Sequence, residues 1–181
     1  PKLLEVGTVL TDVELEIAVT KKSEPIASVV LSDETGELQS FSNVENGGSF
    51  TYNVATIDFD KTFTVVANDG TSNVSKSLIF NFVNPYYYGE SATNDITIDM
   101  NSYTRLVETK GTKAVTFDSD NEYLVFMYPA TYADLKSIKD ENGFETIDAW
   151  TKRTVEVNGT SYTAYVSNTL TTINIKYTFE V

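Results

Sequence analysis

Residues 13–19, Val-Glu-Leu-Glu-Ile-Ala-Val, set Val13, Leu15, Ile17 and Val19 at every second position, with Glu14 and Glu16 between them. An extended backbone sends successive side chains to opposite faces, so this spacing makes an apolar and an acidic face as a strand and scatters both on a helix. The pattern returns along the chain. IASVVLS (26–32) follows the turn KKSEP, and the polar SDETGE leads into LQSFS. After Gly47-Gly48, Phe50, Tyr52 and Val54 alternate. Phe63, Val65 and Ala67 then face one way, Asn68-Asp69-Gly70-Thr71 reads as a tight turn, and Val74, Leu78, Phe80 and Phe82 return. Turn residues between two alternating runs specify a hairpin. Strands at short spacing with no helical periodicity predict an antiparallel sandwich of about seven strands over residues 1–84.

Asn84-Pro85 interrupts the pattern. The residue before proline is pushed out of the α region, and proline cannot donate to a ladder, so a boundary is expected here. Residues 85–181 read as a second, mainly β domain. Ile96, Ile98 and Met100 alternate. Ser102 is placed to cap a short helix carrying Leu106 and Val107 and ending at Gly111, and TYADLKSIKDENGF is a second helical candidate ending at Asn142-Gly143. KAVTF and YLVFMYP form two strands around a polar turn. The second is apolar on both faces from Tyr123 to Tyr128 and therefore central. The tail predicts three strands with an Asn158-Gly159 turn, the last alternating Ile173, Ile175, Tyr177 and Phe179. The expected class is all-β: an N-terminal antiparallel β-sandwich, then a β-rich domain with one or two short helices.

Composition narrows the chemistry. There is no cysteine and no histidine, which removes thiolate metal sites, thiol nucleophiles and the usual neutral-pH general base, so no enzyme is expected. A net charge of −13 without a basic stripe argues against a nucleic-acid partner. No apolar run reaches the roughly 18 residues of a membrane span. The chain starts at Pro1 and is expected to be part of something longer.

The order GSFTYNV, then TFTVVANDGTSNVSKSLIFNFVNPYYYG, resembles immunoglobulin-like modules in tail and baseplate proteins of bacteriophages and prophages, where a final strand ending in Phe-Val-Asn leads into a Tyr-Tyr-Gly element. YLVFMYPATYADLKSIKDENGF, TAYVSN and TINIKYTFEV are similar to the C-terminal β domain that accompanies that module. The resemblance covers most of the chain. It implies a structural or adhesive role in the virion, in a tail, baseplate or fibre. The implied partners are other virion proteins, further copies of the chain in the trimeric form common in such appendages, and a host-surface glycan or protein. It carries no catalytic residues. The alternative is a secreted bacterial adhesion or carbohydrate-binding module.

Four residues form the candidate interaction surface. Tyr87 belongs to the run Tyr86-Tyr87-Tyr88, either a stacking platform for sugars or a plug between the two domains, the plug being preferred. Trp150 precedes the basic pair Lys152-Arg153 in an otherwise acidic chain and either anchors a binding surface or fills a core or subunit contact, the latter being preferred. DSDNE (118–122) starts like a calcium loop, but Tyr123 and Pro129 stand where an EF-hand needs glycine and glutamate, so it is expected to be a solvated hairpin turn, with no metal and no cofactor. Paired acids would suit a glycosidase, yet nearly all fall in turns or on polar strand faces.

Overall fold

The computed structural model describes residues 1–95, 102–118, 120–171 and 174–181. They are nearly all β, with 62% strand, and divide into two compact units, Pro1–Val83 and Asn84–Val181. No described helix is long and apolar enough to cross a membrane. The expected strand through Ile96, Ile98 and Met100, and the first position of the last strand, Ile173, lie outside the described residues.

The first unit holds β1 (Lys2–Glu5), β2 (Leu10–Thr20), β3 (Ser28–Asp33), β4 (Gly36–Phe41), β5 (Gly47–Ile57), β6 (Lys61–Asn68) and β7 (Asn73–Val83). Five form a sheet in the order β1-β7-β6-β3-β4, and β2 pairs with β5 alone. This is the two-sheet arrangement of an immunoglobulin-like sandwich. The period-two pattern of β2 is realised: Leu15 and Ile17 are buried while Glu14 and Glu16 are exposed. Across the sandwich they meet Leu31, Phe63 and Phe80, and Phe63 packs edge-to-face on Phe80 with ring centroids 6.1 Å apart. The β6–β7 turn is held by Asp69, whose carboxylate accepts from the amides of Thr71 and Ser72 at 2.9 and 2.7 Å. Gly70 there takes φ +86°, which a side chain would strain. At the β3–β4 turn, Asp33 accepts from the Lys61 ammonium and from the amide and hydroxyl of Thr35.

The second unit holds β8 (Tyr86–Ser91), β9 (Thr104–Leu106), β10 (Thr112–Phe117), β11 (Tyr123–Pro129), β12 (Ser137–Lys139), β13 (Trp150–Val157), β14 (Thr160–Ser167) and β15 (Ile175–Glu180). One sheet runs β13-β14-β11-β8-β9 and another β10-β15-β12. The core between them draws Leu124, Phe126, Tyr128 and Tyr165 from the first and Phe117, Ile138 and Phe179 from the second. Phe126 stacks on Phe179 at 4.0 Å with the rings 11° from parallel. β11 is central, between β8 and β14, and buried on both faces, Val125 and Met127 joining a second cluster with Tyr87 and Tyr162. Asn158 and Gly159 both take positive φ in the β13–β14 turn, the geometry of a two-residue hairpin.

Three expectations fail here. The segment after Ser102 forms strand β9, which pairs with Tyr86–Tyr88, and no helix ends at Gly111. The second helical candidate contains strand β12, followed by a turn closed by Asp140, whose carboxylate accepts from the amides of Asn142 and Phe144. The described helical structure is limited to short 3₁₀ turns such as Ile147–Ala149. The polar turn at 118–122 does not close a hairpin, because β10 pairs with β15 while β11 pairs with β8 and β14, so the chain crosses there between sheets.

Candidate interaction groove

The residues expected to bind do not form a surface. Tyr87 is 5% exposed and packs edge-to-face on Tyr162 at 5.5 Å. Tyr86 and Tyr88 face the other way, as alternation requires: Tyr86 lies 6.0 Å from Phe126 and Tyr88 5.8 Å from Phe117. All these partners lie within the second unit, so Tyr86 and Tyr87 are buried in that unit's own core and Tyr88 packs against it half-buried. Trp150 is 7% exposed and belongs to the same core as Phe117 and Phe179.

Lys152 is exposed and donates to Asp134 at 2.5 Å, and this hydrogen bond to a carboxylate stabilises the ammonium and raises the lysine's pKa. Arg153 is half-buried, and its Nε is buried without a hydrogen-bond partner. Adjacent positions of a strand point to opposite faces, so these two cations form no common patch. Among the carboxylates Glu90 stands out. Burial pushes its pKa up, while the amide of Asp118 donates to it at 2.9 Å and counters the shift. Among the described residues no three acidic side chains gather closely enough to hold a metal ion.

A different feature emerges in the first unit. β1 joins the large sheet, running parallel to β7 with Lys2 opposite Phe80 and Glu5 opposite Val83. It therefore does not lie beside β2. Among the described residues β2 is paired on one side only, with β5, and its other edge looks over the inner face of β6 and β7. The result is a groove of about 870 Å³. Its floor is apolar, formed by Leu15, Ile17, Val65, Leu78 and Phe80, with Lys76 on the same face of β7 as Leu78, and its rim carries Glu14, Glu16 and Lys22. Val74, at the open end of β7, is 62% exposed. Lys2 closes one end with its ammonium 5.7 Å from the Phe80 ring centroid.

The groove has two properties of a strand-binding site: a backbone edge unpaired among the described residues, and an apolar floor beside it. Neither Glu14 nor Glu16 makes an ion pair among the described residues. Their neighbours across the β2–β5 ladder are Asn53 and Thr51, both neutral. The alternation in β2 showed which of its faces is apolar; only the course of β1 shows which of its edges is free. Comparison with family models, curated proteins and solved structures finds no match to this chain.

Proposed function

We propose that this chain is a non-enzymatic structural component of a bacteriophage appendage, a tail, baseplate or fibre, that works by packing against other virion proteins and by touching the host surface. The observation that carries a packing role is the groove of the first unit, where among the described residues an unpaired strand edge borders an apolar floor and Val74 is exposed at its end. Monomeric proteins ordinarily blunt or cover such an edge, and one left open beside apolar surface is a place for another chain. The residues quoted for the phage resemblance, through FVNPYYYG, supply the setting. A carbohydrate-binding role is the weaker reading, because the aromatic rings it would use, Tyr87 and Trp150, are buried.

The test is light scattering of the purified chain combined with binding to virion proteins and host cells. Self-association, in trimeric form, or binding to a virion protein supports the proposal. A monodisperse monomer that binds neither host cells nor virion partners overturns it.

A further inference from the structure

The groove also specifies what would fill it. We infer that the free edge of β2 accepts an extended segment from a different protein, in which apolar residues alternate with basic ones, added as a further strand to the β2–β5 sheet. This rests on the reading of the groove as a packing surface and adds the chemistry of the partner.

Three features of β2 select the occupant. Backbone donors and acceptors along an unpaired edge are satisfied by a strand, and antiparallel addition is the more stable pairing. The edge from Val13 to Thr20 lines the groove throughout, so the segment needs about eight residues, roughly 26 Å of strand. Its inward side chains would lie beside Leu15 and Ile17 and over Leu78 and Phe80, which calls for valine or isoleucine at alternate positions. Its outward side chains would stand next to Glu14 and Glu16, which make no ion pair among the described residues. Opposite charges across neighbouring strands are favourable and like charges are not.

That charge pattern favours a different protein over the obvious self-pairing. A second copy presenting its own β2 in the antiparallel register centred on Leu15 would set Glu14 against Glu16, and in any register it would bring together two acidic edges on chains that each carry a net charge of −13. Lys76 lies on the inner face of β7 and Lys22 beyond the end of β2, so the basic residues of the partner belong at the middle of the segment, opposite Glu14 and Glu16.

The experiment uses the full chain and synthetic peptides of about eight residues, a length set by the strand rise. One alternates valine or isoleucine with lysine, one replaces lysine by glutamate, and one keeps lysine but is N-methylated at alternate amides along one edge. The lysine peptide is expected to bind, to protect the amides of Val13–Thr20 from hydrogen exchange, and to exceed the glutamate peptide by at least about tenfold, since each reversed pair both loses attraction and gains repulsion. N-methylation removes the donors and abolishes binding. A Glu14→Lys/Glu16→Lys variant, folded by circular dichroism because both positions are exposed, is expected to reverse the preference between the two charged peptides.

Equal binding of lysine and glutamate peptides, undiminished binding after N-methylation, or protection away from β2 overturns the inference. So does protection of β2 that rises with protein concentration in the absence of peptide, which would make the occupant a second copy. If no peptide binds but the chain still associates by light scattering or captures virion proteins, this partner chemistry fails and the packing role stands. If both fail, the groove has no such role.

Discussion

Trp150 decides between a binding anchor and a core residue, and its surroundings give the size of the effect. Its indole meets Tyr177 at 5.2 Å and Phe179 at 5.4 Å, both edge-to-face, and Phe117 at 6.4 Å. Truncating a buried large aromatic costs about 3–5 kcal/mol, and each edge-to-face pair adds roughly 0.5–1.5 kcal/mol beyond the area it buries. Trp150 sits at the start of β13, whereas its partners lie on β10 and β15, which are paired within the other sheet. They are not free to collapse into the space, which places Trp150→Ala in the upper part of that range, about 4–5 kcal/mol. With a urea slope of about 2 kcal/mol per molar, the midpoint falls by about 2 M. Trp150→Phe keeps one ring and should lose only about 1–2 kcal/mol. Urea titration followed by far-ultraviolet circular dichroism measures both. In the unaltered protein the single tryptophan reports on the second unit by its fluorescence. A midpoint for Trp150→Ala within about 0.5 kcal/mol of the unaltered protein, the size of an ordinary surface effect, would refute the packing argument and return the indole to the surface.

Two further outcomes test other parts of the structure. A Cβ added at Gly89 would lie 2.8 Å from Cδ1 of Tyr103 and 3.4 Å from its Cα, so Gly89→Ala is expected to cost about 1–3 kcal/mol by overpacking, and a thermal scan showing no loss would mean the ring does not rest there. Lys61 and Thr35 hold the Asp33 carboxyl well below its ordinary range. A depressed folded-state pKa gives stability that is complete above the unfolded value of about 4 and is lost as pH falls toward the folded value. The first unit should therefore weaken in acid, and Asp33→Asn should flatten that dependence; an identical pH profile in the variant would remove Asp33 as its source.

The sequence was most informative where one strand's own residues carry the signal. The alternation of Val13 to Val19, the Asp69-Gly70 turn and the two-sided apolar run Tyr123 to Tyr128 appear in the fold as read. It misled where a short segment satisfies two periodicities. Leu135 and Ile138 are three apart, as on a helix face, yet both reach the core from a loop and the three-residue strand β12, which pairs with β15 far away in sequence. Thr104–Leu106 is likewise drawn into a ladder by Tyr86–Tyr88. Tyr87 and Trp150 left a binding surface open beside the preferred packing role, because aromatic residues suit interfaces and cores equally; burial separates the two, and burial depends on strands distant in the chain. The groove was hidden for a related reason. KLLE says nothing of whether it will lie beside β2 or β7, and that choice leaves an edge of β2 open.

The position of β15 has a consequence for how the molecule is made. It is the middle strand of its sheet, joining β10 on one side and β12 on the other, and it supplies Phe179, whose ring lies against Phe126 of the opposite sheet. On a ribosome β10, β11 and β12 all emerge before it, so the second unit cannot close its interior while the chain is still growing toward Glu180. During that interval β10 and β12 lack the neighbour they share, and Phe126 lacks its stacking partner. Long-range pairings of this kind fold slowly, and waiting edges recruit other strands. Nascent chains of this protein are therefore most exposed to misassembly in its second unit just before β15 arrives, when the first unit has all seven of its strands.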